Sequence, residues 1–202
     1  MAELRLLDLF CGAGGAAMGY SRAGFEVVGV DVNPQPHYPF EFHQADALTF
    51  PLEGFDVIHA SPPCQRRSRA TSWRGSRESW PDLLIPTLER LRSEACVPWI
   101  VENVPEAGAL LPSLLLCGTA FGLPVIRHRR FGLSWDLPDL TPPCAHERVI
   151  PFDHGGTKPE SVYREALGVG WMTVEESRQA IPPAYTEWLG RRMGAALGGE
   201  DG

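Results

Sequence analysis

One cysteine stands in a setting that suits nucleophilic chemistry. Cys64 directly follows a predicted strand and is preceded by Pro62-Pro63. Proline fixes the backbone φ angle and removes a donor, so the thiol is held in one direction. Residues 66–77 carry five arginines, and nearby positive charge favours the thiolate, the reactive form of cysteine. Cys64 is therefore the candidate nucleophile. We expect inert, buried thiols at Cys11, Cys96 and Cys117.

A glycine-rich turn, residues 12–15, lies between the first predicted strand and a predicted helix. A strand, a tight turn and a helix form a pocket for an adenosyl group, because glycine lets the backbone approach a ligand. Asp31 ends the next predicted strand, about 20 residues on, where an acidic side chain commonly binds ribose hydroxyls. Asp46 is a candidate acceptor for an adenine amine. For each aspartate alone, a helix cap or a loop role is the more common one.

The elements that position these groups follow from hydrophobic periodicity and from turn residues. Strands are predicted at 4–10, 25–33, 54–61 and 97–104, and through Ile126 into the arginine cluster. Helices are predicted at 16–24, 81–95, 106–120, 160–170, 173–180 and 181–197, and loops at 34–43 and 66–80. Strands that alternate with helices predict a mostly parallel sheet with crossover connections.

The composition is that of one soluble globular domain, with 202 residues and 44% hydrophobic side chains. Without a membrane-length apolar run or a signal-peptide pattern, we expect a cytoplasmic protein. The sequence does not show the oligomeric state, and a monomer is favoured. The net charge of −7 is unusual for a protein that binds nucleic acid. However, the arginines of 66–77 and 127–130 can present a local basic face, with a solvated surface as the alternative.

The cysteines give no sign of a metal site. They form no C-x-x-C pair, which argues against a disulfide scaffold and a zinc ribbon. Cys144, His146 and His154 are side chains that bind metals, but their spacing matches no common zinc site. The sequence therefore predicts no metal.

Five motifs occur in a fixed order along the chain. They are Phe10-x-Gly12-x-Gly14-Gly15, Pro62-Pro63-Cys64-Gln65, Glu102-Asn103-Val104, Arg127-x-Arg129 and the closing IPPAYTEWLG of residues 181–190. Over residues 4–195, except 133–165, the chain resembles the cytosine-5 DNA methyltransferase family. The resemblance implies an α/β, Rossmann-like S-adenosylmethionine-dependent methyltransferase fold with helices on both faces of a mostly parallel sheet. It also implies S-adenosylmethionine as cofactor, S-adenosylhomocysteine as product, and double-stranded DNA with a flipped-out target cytosine as partner.

The resemblance also implies roles for individual residues. Cys64 would add to C6 of cytosine, Glu102 would hold or protonate N3, and Arg129 would contact O2. Arg127 would support the loop that carries Arg129, and Asn103 would brace the turn at the strand end. The implied cofactor-binding residues are Asp8, Phe10, Cys11, Gly12, Ala13, Gly14, Gly15, Asp31, Val32, Asp46, Ala47 and Pro62. The implied nucleic-acid-binding residues are Gln65, Arg66, Arg67, Ser68, Arg69, Arg74 and Arg77, with Trp73 or Trp80 as a stacking wedge.

The chain departs from the family between the arginine motif and the closing motif, where the family places its target-recognition region. We divide the chain into a methyltransferase core (1–132), a short recognition or linker segment (133–165) and C-terminal helices that complete the core (166–202). Recognition by a short relaxed site, by a separate specificity subunit or by loop 66–80 stays open. Val125 replaces the family's glutamine before the arginines, and the closing region lacks the usual Gly-Asn-Ser/Ala.

Two other functions stay open at this point. One is a cytosine-5 methyltransferase for RNA or free nucleotides, which would suit an acidic chain with a short recognition region. The other is a non-catalytic module that binds nucleic acid or an adenosyl ligand. The presence of Cys64, Glu102 and Arg129 argues against the second.

Overall fold

The computed structural model describes residues 3–64, 66, 81–110, 112–135, 141–147, 149 and 160–198. The strands are β1 (Arg5–Leu9), β2 (Glu26–Asp31), β3 (Glu41–Gln44), β4 (Val57–Ala60), β5 (Trp99–Asn103), β6 (Leu114–Leu116) and β7 (Arg129–Leu133). The α-helices are α1 (Gly15–Arg22), α2 (Leu84–Glu94), α3 (Glu160–Leu167), α4 (Val174–Gln179) and α5 (Pro183–Gly198). Short 3-10 helices at Gly108–Leu110 and Gly118–Phe121 lie on either side of β6 along the chain.

The strands form one sheet in the order β3-β2-β1-β4-β5-β7-β6. Neighbouring strands from β3 to β5 are parallel, whereas β7 is antiparallel to both β5 and β6. This arrangement confirms the predicted Rossmann-like α/β class with a mostly parallel sheet. The strand order reverses between β1 and β4, and ligands of open α/β sheets bind outside the carboxyl ends of strands at such a point. The glycine turn after β1 and Cys64 after β4 flank this position.

Helices cover both faces of the sheet, because alternate residues of each strand point to opposite sides. Leu6 packs in a core cluster with Tyr20 of α1 and Tyr185 of α5. The next residue along β1, Leu7, belongs to the opposite cluster together with Leu88 of α2. The prediction of helices on both faces is confirmed.

Helix α1 packs against α5 at very short range. A Cβ atom on Gly19 would come within 2.2 Å of the Pro183 carbonyl oxygen, so glycine is required at this position. The Thr186 hydroxyl donates a hydrogen bond to the Ala16 carbonyl at 2.8 Å. The closing helix therefore buttresses the helix that follows the glycine turn.

Three local predictions were wrong. β3 overlaps the end of the proline-rich segment predicted as a loop (34–43), because Glu41 to Gln44 pair with β2 as a short edge strand. The segment 106–120, predicted as a helix, contains Pro112 and instead forms β6 between two 3-10 helices. The strand of the arginine cluster begins at Arg129, and Ile126 lies exposed before it.

Much of two predicted segments lies outside the described residues. Of loop 66–80, only Arg66 is described, and it is exposed. Of segment 133–165, the structure describes 133–135, 141–147, 149 and 160–165. Within the described parts of the chain, no helix combines the length and the apolar character needed to cross a membrane.

Candidate active site

The glycine turn follows β1, and three residues in it and just before it have left-handed backbone conformations. Phe10 has φ of 59°, and Gly12 and Gly14 have φ of 50° and 83°. A residue other than glycine rarely adopts this conformation, so Phe10 is a point of backbone strain of the kind found at functional sites. The turn is closed by a 3.1 Å hydrogen bond from the Gly14 amide to the Cys11 carbonyl.

The carboxylate of Asp31 is fixed beside this turn. Its Oδ2 accepts a 3.1 Å hydrogen bond from the Gly12 amide, and its Oδ1 accepts a 2.9 Å bond from the Asn33 amide. Val32, the next residue, leaves 65% of its surface exposed. A fixed carboxylate suits the hydroxyls of a ribose, and the exposed apolar side chain beside it suits the attached base.

Asp46 and Ala47 lie in the turn after β3. The Asp46 Oδ1 accepts a 2.9 Å hydrogen bond from the Leu48 amide, so this side chain also has a local turn role. Ala47 is buried, and its carbonyl accepts a 2.8 Å hydrogen bond from Arg90 of α2. Asp46 itself is exposed, whereas Ala47 belongs to the scaffold.

Several residues implied to bind the cofactor are buried behind the turn. Asp8 is fully buried, and its pKa is raised well above the usual value by burial and by the charge of Asp31. The Ala13 carbonyl accepts a 3.0 Å hydrogen bond from the Trp171 indole. A Cβ atom on Gly15 would collide with the Ile181 backbone, so Gly15 serves close packing.

The residues of the turn fit an adenosyl group such as that of S-adenosylmethionine. A Cβ atom built on Gly12 would meet no atom within 4 Å, so the backbone there borders open space. The Asp31 carboxylate is hydrogen-bonded to the Gly12 amide, and the exposed Val32 and Asp46 follow the carboxyl ends of the neighbouring strands β2 and β3. Together they supply hydrogen-bond acceptors and an apolar contact for an adenosyl group.

Cys64 lies after β4 on a turn that is tied to both neighbouring strands. The Asn103 side-chain amide donates a buried 2.9 Å hydrogen bond to the Pro62 carbonyl. The Ser61 hydroxyl donates a 3.1 Å bond to the Phe10 carbonyl. These contacts fix the buried Pro62 and join the cysteine turn to the glycine turn.

Glu102 and Arg129 form an ion pair at the antiparallel edge of β5. Their Oε1 and Nε atoms lie 3.0 Å apart, and Glu102 is only 5% exposed. Burial raises the pKa of the Glu102 carboxyl, and the charges of Arg129 and Arg127 oppose this rise. A carboxyl group with a raised pKa and a cationic neighbour can accept or donate a proton.

Arg127 is buried behind this pair and is held by the C-terminal helices. Its guanidinium donates a 2.8 Å hydrogen bond to the Arg178 carbonyl. The Tyr185 hydroxyl donates a 2.5 Å bond to the Arg127 carbonyl. Burial and then the charge of Arg129 lower the pKa of Arg127 to about 9, so the side chain stays cationic at neutral pH.

The pKa of the Cys64 thiol is shifted by the charges of Glu102, Arg127 and Arg129. Burial is the main influence and raises its pKa, the charge of Arg129 lowers it, and the Glu102 carboxylate raises it. The structure thus brings Cys64, Glu102, Asn103, Arg127 and Arg129 together at one end of the sheet.

The remaining predictions divide into two groups. Arg66 is exposed directly after the cysteine turn. Gln65, Arg67, Ser68, Arg69, Trp73, Arg74, Arg77 and Trp80 lie outside the described residues. The prediction of a buried Cys96 was wrong, because this thiol is exposed, whereas Cys11 and Cys117 are buried.

Residues near the carboxyl terminus complete the site, and sequence reasoning assigned them no individual role. Trp171 contacts the glycine turn, and Tyr185 contacts Arg127. The available signal was the closing motif, which contains Tyr185. Trp171 precedes that motif and had no such signal.

Comparison with known proteins places this arrangement in a family. A model of the C-5 cytosine-specific DNA methylase family matches residues 4–109, just over half of the chain. The chain is similar to the type II methyltransferase M.AplI of Arthrospira platensis, with 24% identity over 94% of this chain and 59% of that protein. It is 31% identical to the type II methyltransferase M.FnuDI of Fusobacterium nucleatum over 50% of this chain and 32% of that protein. The chain therefore spans less than two thirds of the length of these relatives.

A solved structure supports the fold over the whole chain. The Entamoeba histolytica methyltransferase EhMeth superposes with a TM-score of 0.64 over 98% of this chain and 99% of its own, at 10% identity. At this identity the likeness concerns the fold alone.

Proposed function

Because the chain belongs to the C-5 cytosine-specific DNA methylase family, we propose that it transfers a methyl group from S-adenosylmethionine to C5 of a cytosine in DNA. The observation that carries the proposal is the meeting of Cys64 with the Glu102–Arg129 ion pair. A nucleophile, a proton carrier and a cation beside an adenosyl-binding turn form the set that this reaction needs.

Cys64 supplies the nucleophile. Cytosine C5 is too electron-poor to attack a methyl group, so the reaction needs covalent activation of the ring. The Cys64 thiolate adds to C6 and forms an Sγ–C6 bond, which makes C5 nucleophilic. After C5 has gained the methyl group, a base removes the C5 proton and the Sγ–C6 bond breaks. The thiolate is then restored.

Glu102 and Arg129 stabilise the charge that this addition creates in the ring. Electron density moves towards N3 and O2 as the thiolate adds. Glu102, with a raised pKa, gives or shares a proton at N3, and Arg129 faces O2. Asn103 holds the Pro62 carbonyl and so positions Cys64 without touching the base.

The glycine turn would hold the cofactor. Asp31 would bind the ribose hydroxyls, Val32 and Phe10 would contact the adenine, and Gly12 would let the backbone approach. When bound, S-adenosylmethionine supplies the electrophilic methyl group that C5 accepts.

DNA is proposed as the substrate because the matching family model is that of C-5 cytosine-specific DNA methylases. A base inside a duplex cannot reach Cys64, so the target cytosine must be flipped out. Arg66 and the basic residues that follow would contact the phosphates, which predicts salt-sensitive binding.

The proposal is tested with cofactor that carries a labelled methyl group. The purified chain is incubated with unmethylated genomic DNA, with RNA or with cytidine monophosphate. We expect labelled 5-methylcytosine in DNA only, loss of labelling in Cys64→Ser, and full labelling in the control Cys96→Ser, whose thiol is exposed. Labelling of RNA or the nucleotide alone would replace DNA as the substrate. Equal labelling by Cys64→Ser and the unsubstituted chain would remove Cys64 from the mechanism.

A further inference from the structure

A second group of reactive side chains consists of residues to which the methyl transfer assigns no role. Cys117, His128, Cys144 and His146 each offer a sulfur or ring nitrogen, and these four atoms all lie within 4.8 Å of one another. We propose that these residues, here called the Cys2His2 cluster, bind one zinc ion.

The distances within the Cys2His2 cluster suit tetrahedral zinc. Zn–S bonds of about 2.3 Å and Zn–N bonds of about 2.05 Å, at the tetrahedral angle, place sulfur and nitrogen about 3.6 Å apart. The Cys117 Sγ lies 3.6 Å from the His146 Nε2, and the Cys144 Sγ lies 3.9 Å from the His128 Nε2. Cys144 and His146 are exposed, so small movements of these two side chains can close the remaining separations.

Thiol–imidazole hydrogen bonds alone do not account for the arrangement. Two such bonds would satisfy the two cysteine–histidine pairs without bringing all four atoms together. The imidazole rings of His128 and His146 also meet edge to face, with centroids 5.2 Å apart. Two thiols and two imidazoles are a preferred donor set for zinc, and the absence of a carboxylate from this cluster argues against calcium and magnesium.

The fold assembles the Cys2His2 cluster from two places in the chain. β6 and β7 pair antiparallel with Leu116 opposite Arg129, so the next residues, Cys117 and His128, face each other beyond that pair. Residues 141–147 supply Cys144 and His146. The hairpin therefore provides one cysteine and one histidine, and the later segment provides the other two.

The Thr119 hydroxyl supports a metal ligand. Its Oγ1 lies 3.3 Å from the Cys117 Sγ, close enough to donate a hydrogen bond to a thiolate. Hydrogen bonds of this kind orient metal ligands and are a regular part of metal sites. Cys117 is also buried, which gives the site one firmly placed ligand.

A zinc ion here would tie residues 141–147 to the edge of the methyltransferase core. His128 lies between Arg127 and Arg129, so the same ion would fix the backbone that carries both arginines. The sequence prediction of no metal considered Cys144 and His146 with His154, which lies outside the described residues. Cys117 and His128 come from more distant positions, and the proposal replaces that prediction.

The metal content of the full chain tests the proposal. The chain is purified under reducing conditions without chelator, and its zinc is measured by elemental mass spectrometry. We expect about one zinc ion per chain, and less than roughly a tenth of that in Cys144→Ser/His146→Ala, because a structural site needs its full ligand set. Cobalt added to the chelator-treated chain should give the visible spectrum of a tetrahedral thiolate site. The double variant should give no such spectrum.

Matched controls separate this site from general thiol and imidazole binding. Cys96→Ser and His43→Ala remove exposed side chains of the same types outside the cluster, and both should keep full zinc loading. The single variants Cys144→Ser and His146→Ala replace exposed residues and should each lower the zinc content, even if the double variant does not fold.

The proposal is overturned if the unsubstituted chain holds no zinc and gives no cobalt spectrum. It is also overturned if the variants bind as much zinc as the chain itself. These measurements need no methylation activity, so their failure leaves the proposed function untouched.

Discussion

The two regions at the carboxyl edge of the sheet hold their functional groups in opposite ways. The glycine turn relies on backbone groups and on one partly exposed carboxylate, that of Asp31, which is fixed by the Gly12 amide. The cysteine turn relies on ionisable side chains removed from water, above all Glu102 and Arg127. In the first region, the group that would meet a ligand is a carboxylate held by backbone amides, and Asp8, whose pKa it raises, is buried behind the turn. In the second, each charge shifts the pKa of its neighbours.

In the proposed mechanism, this difference separates cofactor binding from chemistry. Charges interact more strongly in a buried environment than in water, so the Glu102–Arg129 pair shifts the pKa of a group near it. Helix α5 serves both regions, because Thr186 bonds to α1 beside the glycine turn and Tyr185 bonds to the Arg127 carbonyl. A substitution in one region should therefore leave the other unchanged, unless it displaces α5 or breaks the Ser61–Phe10 hydrogen bond that joins the two turns.

The largest effect is expected from Glu102→Gln. This variant keeps the size of the side chain but removes the proton that the ring nitrogen would share. We expect the methylation rate constant to fall by about 100-fold or more, with the Kd for S-adenosylmethionine unchanged. Glu53→Gln, an exposed control, should be silent in both measurements. A full rate in Glu102→Gln would show that the buried pair is purely structural.

Gly19→Ala should disturb both regions through α5. The added Cβ would overlap the Pro183 carbonyl and the Thr186 hydroxyl, so the two helices must separate. We expect a loss of about 2 kcal/mol in the free energy of unfolding, measured by urea denaturation. Gly194→Ala, in the open part of α5, should instead add about 0.5 kcal/mol. Equal stabilities of the two variants would argue against this close helix contact.

Asp31→Asn tests the binding region alone. The variant weakens the acceptor proposed for the ribose, and we expect the Kd for S-adenosylmethionine to rise by about 10-fold in calorimetry. Asp56→Asn is the control, because Asp56 accepts a backbone hydrogen bond from Arg5 at the opposite end of the sheet. The alkylation rate of Cys64 should be the same in both variants. A changed Cys64 rate in Asp31→Asn would mean that the two regions are coupled.

The smallest expected effect is a shift in the pH dependence of Cys64 alkylation. Burial raises the Cys64 pKa, so the midpoint for reaction with iodoacetamide should lie above that of a cysteine in a short peptide. The Glu102 carboxylate raises this pKa further, so Glu102→Gln should move the midpoint to lower pH. Labelling of the Cys64 peptide is followed by mass spectrometry. A midpoint that stays fixed or rises in the variant would contradict the proposed proximity.

The parts predicted well from sequence are those with local signals. β1, β2, β4 and β5 are short apolar runs that end in turn residues, and α2 and α5 show helical spacing. The position of Cys64 after β4 followed from the same signals. Its approach to Glu102 depends on β4 and β5 being neighbours, which the parallel α/β pattern suggests but does not fix.

The parts that failed depend on long-range contacts. β3 forms by pairing with the edge of β2, and the segment before it carries prolines at 34, 36 and 39, which favour a loop. Leu114 to Leu116 lie in a segment predicted as a helix, but they form β6 by pairing with β7. Cys117 and Cys144 come together only when residues 141–147 pack on the β6–β7 hairpin. No local periodicity carries that information.

The central claim is that Cys64 bonds to a cytosine ring, and a trapped adduct tests it most directly. In DNA that contains 5-fluorocytosine, the base cannot remove fluorine from C5 as it would a proton, so the Sγ–C6 bond persists after methyl transfer. The account predicts a stable protein–DNA complex that requires S-adenosylmethionine, maps to the Cys64 peptide and is lost in Cys64→Ser but not in Cys96→Ser. An adduct at another residue would contradict it, and so would methylation of ordinary cytosine by a chain that forms no adduct with 5-fluorocytosine DNA.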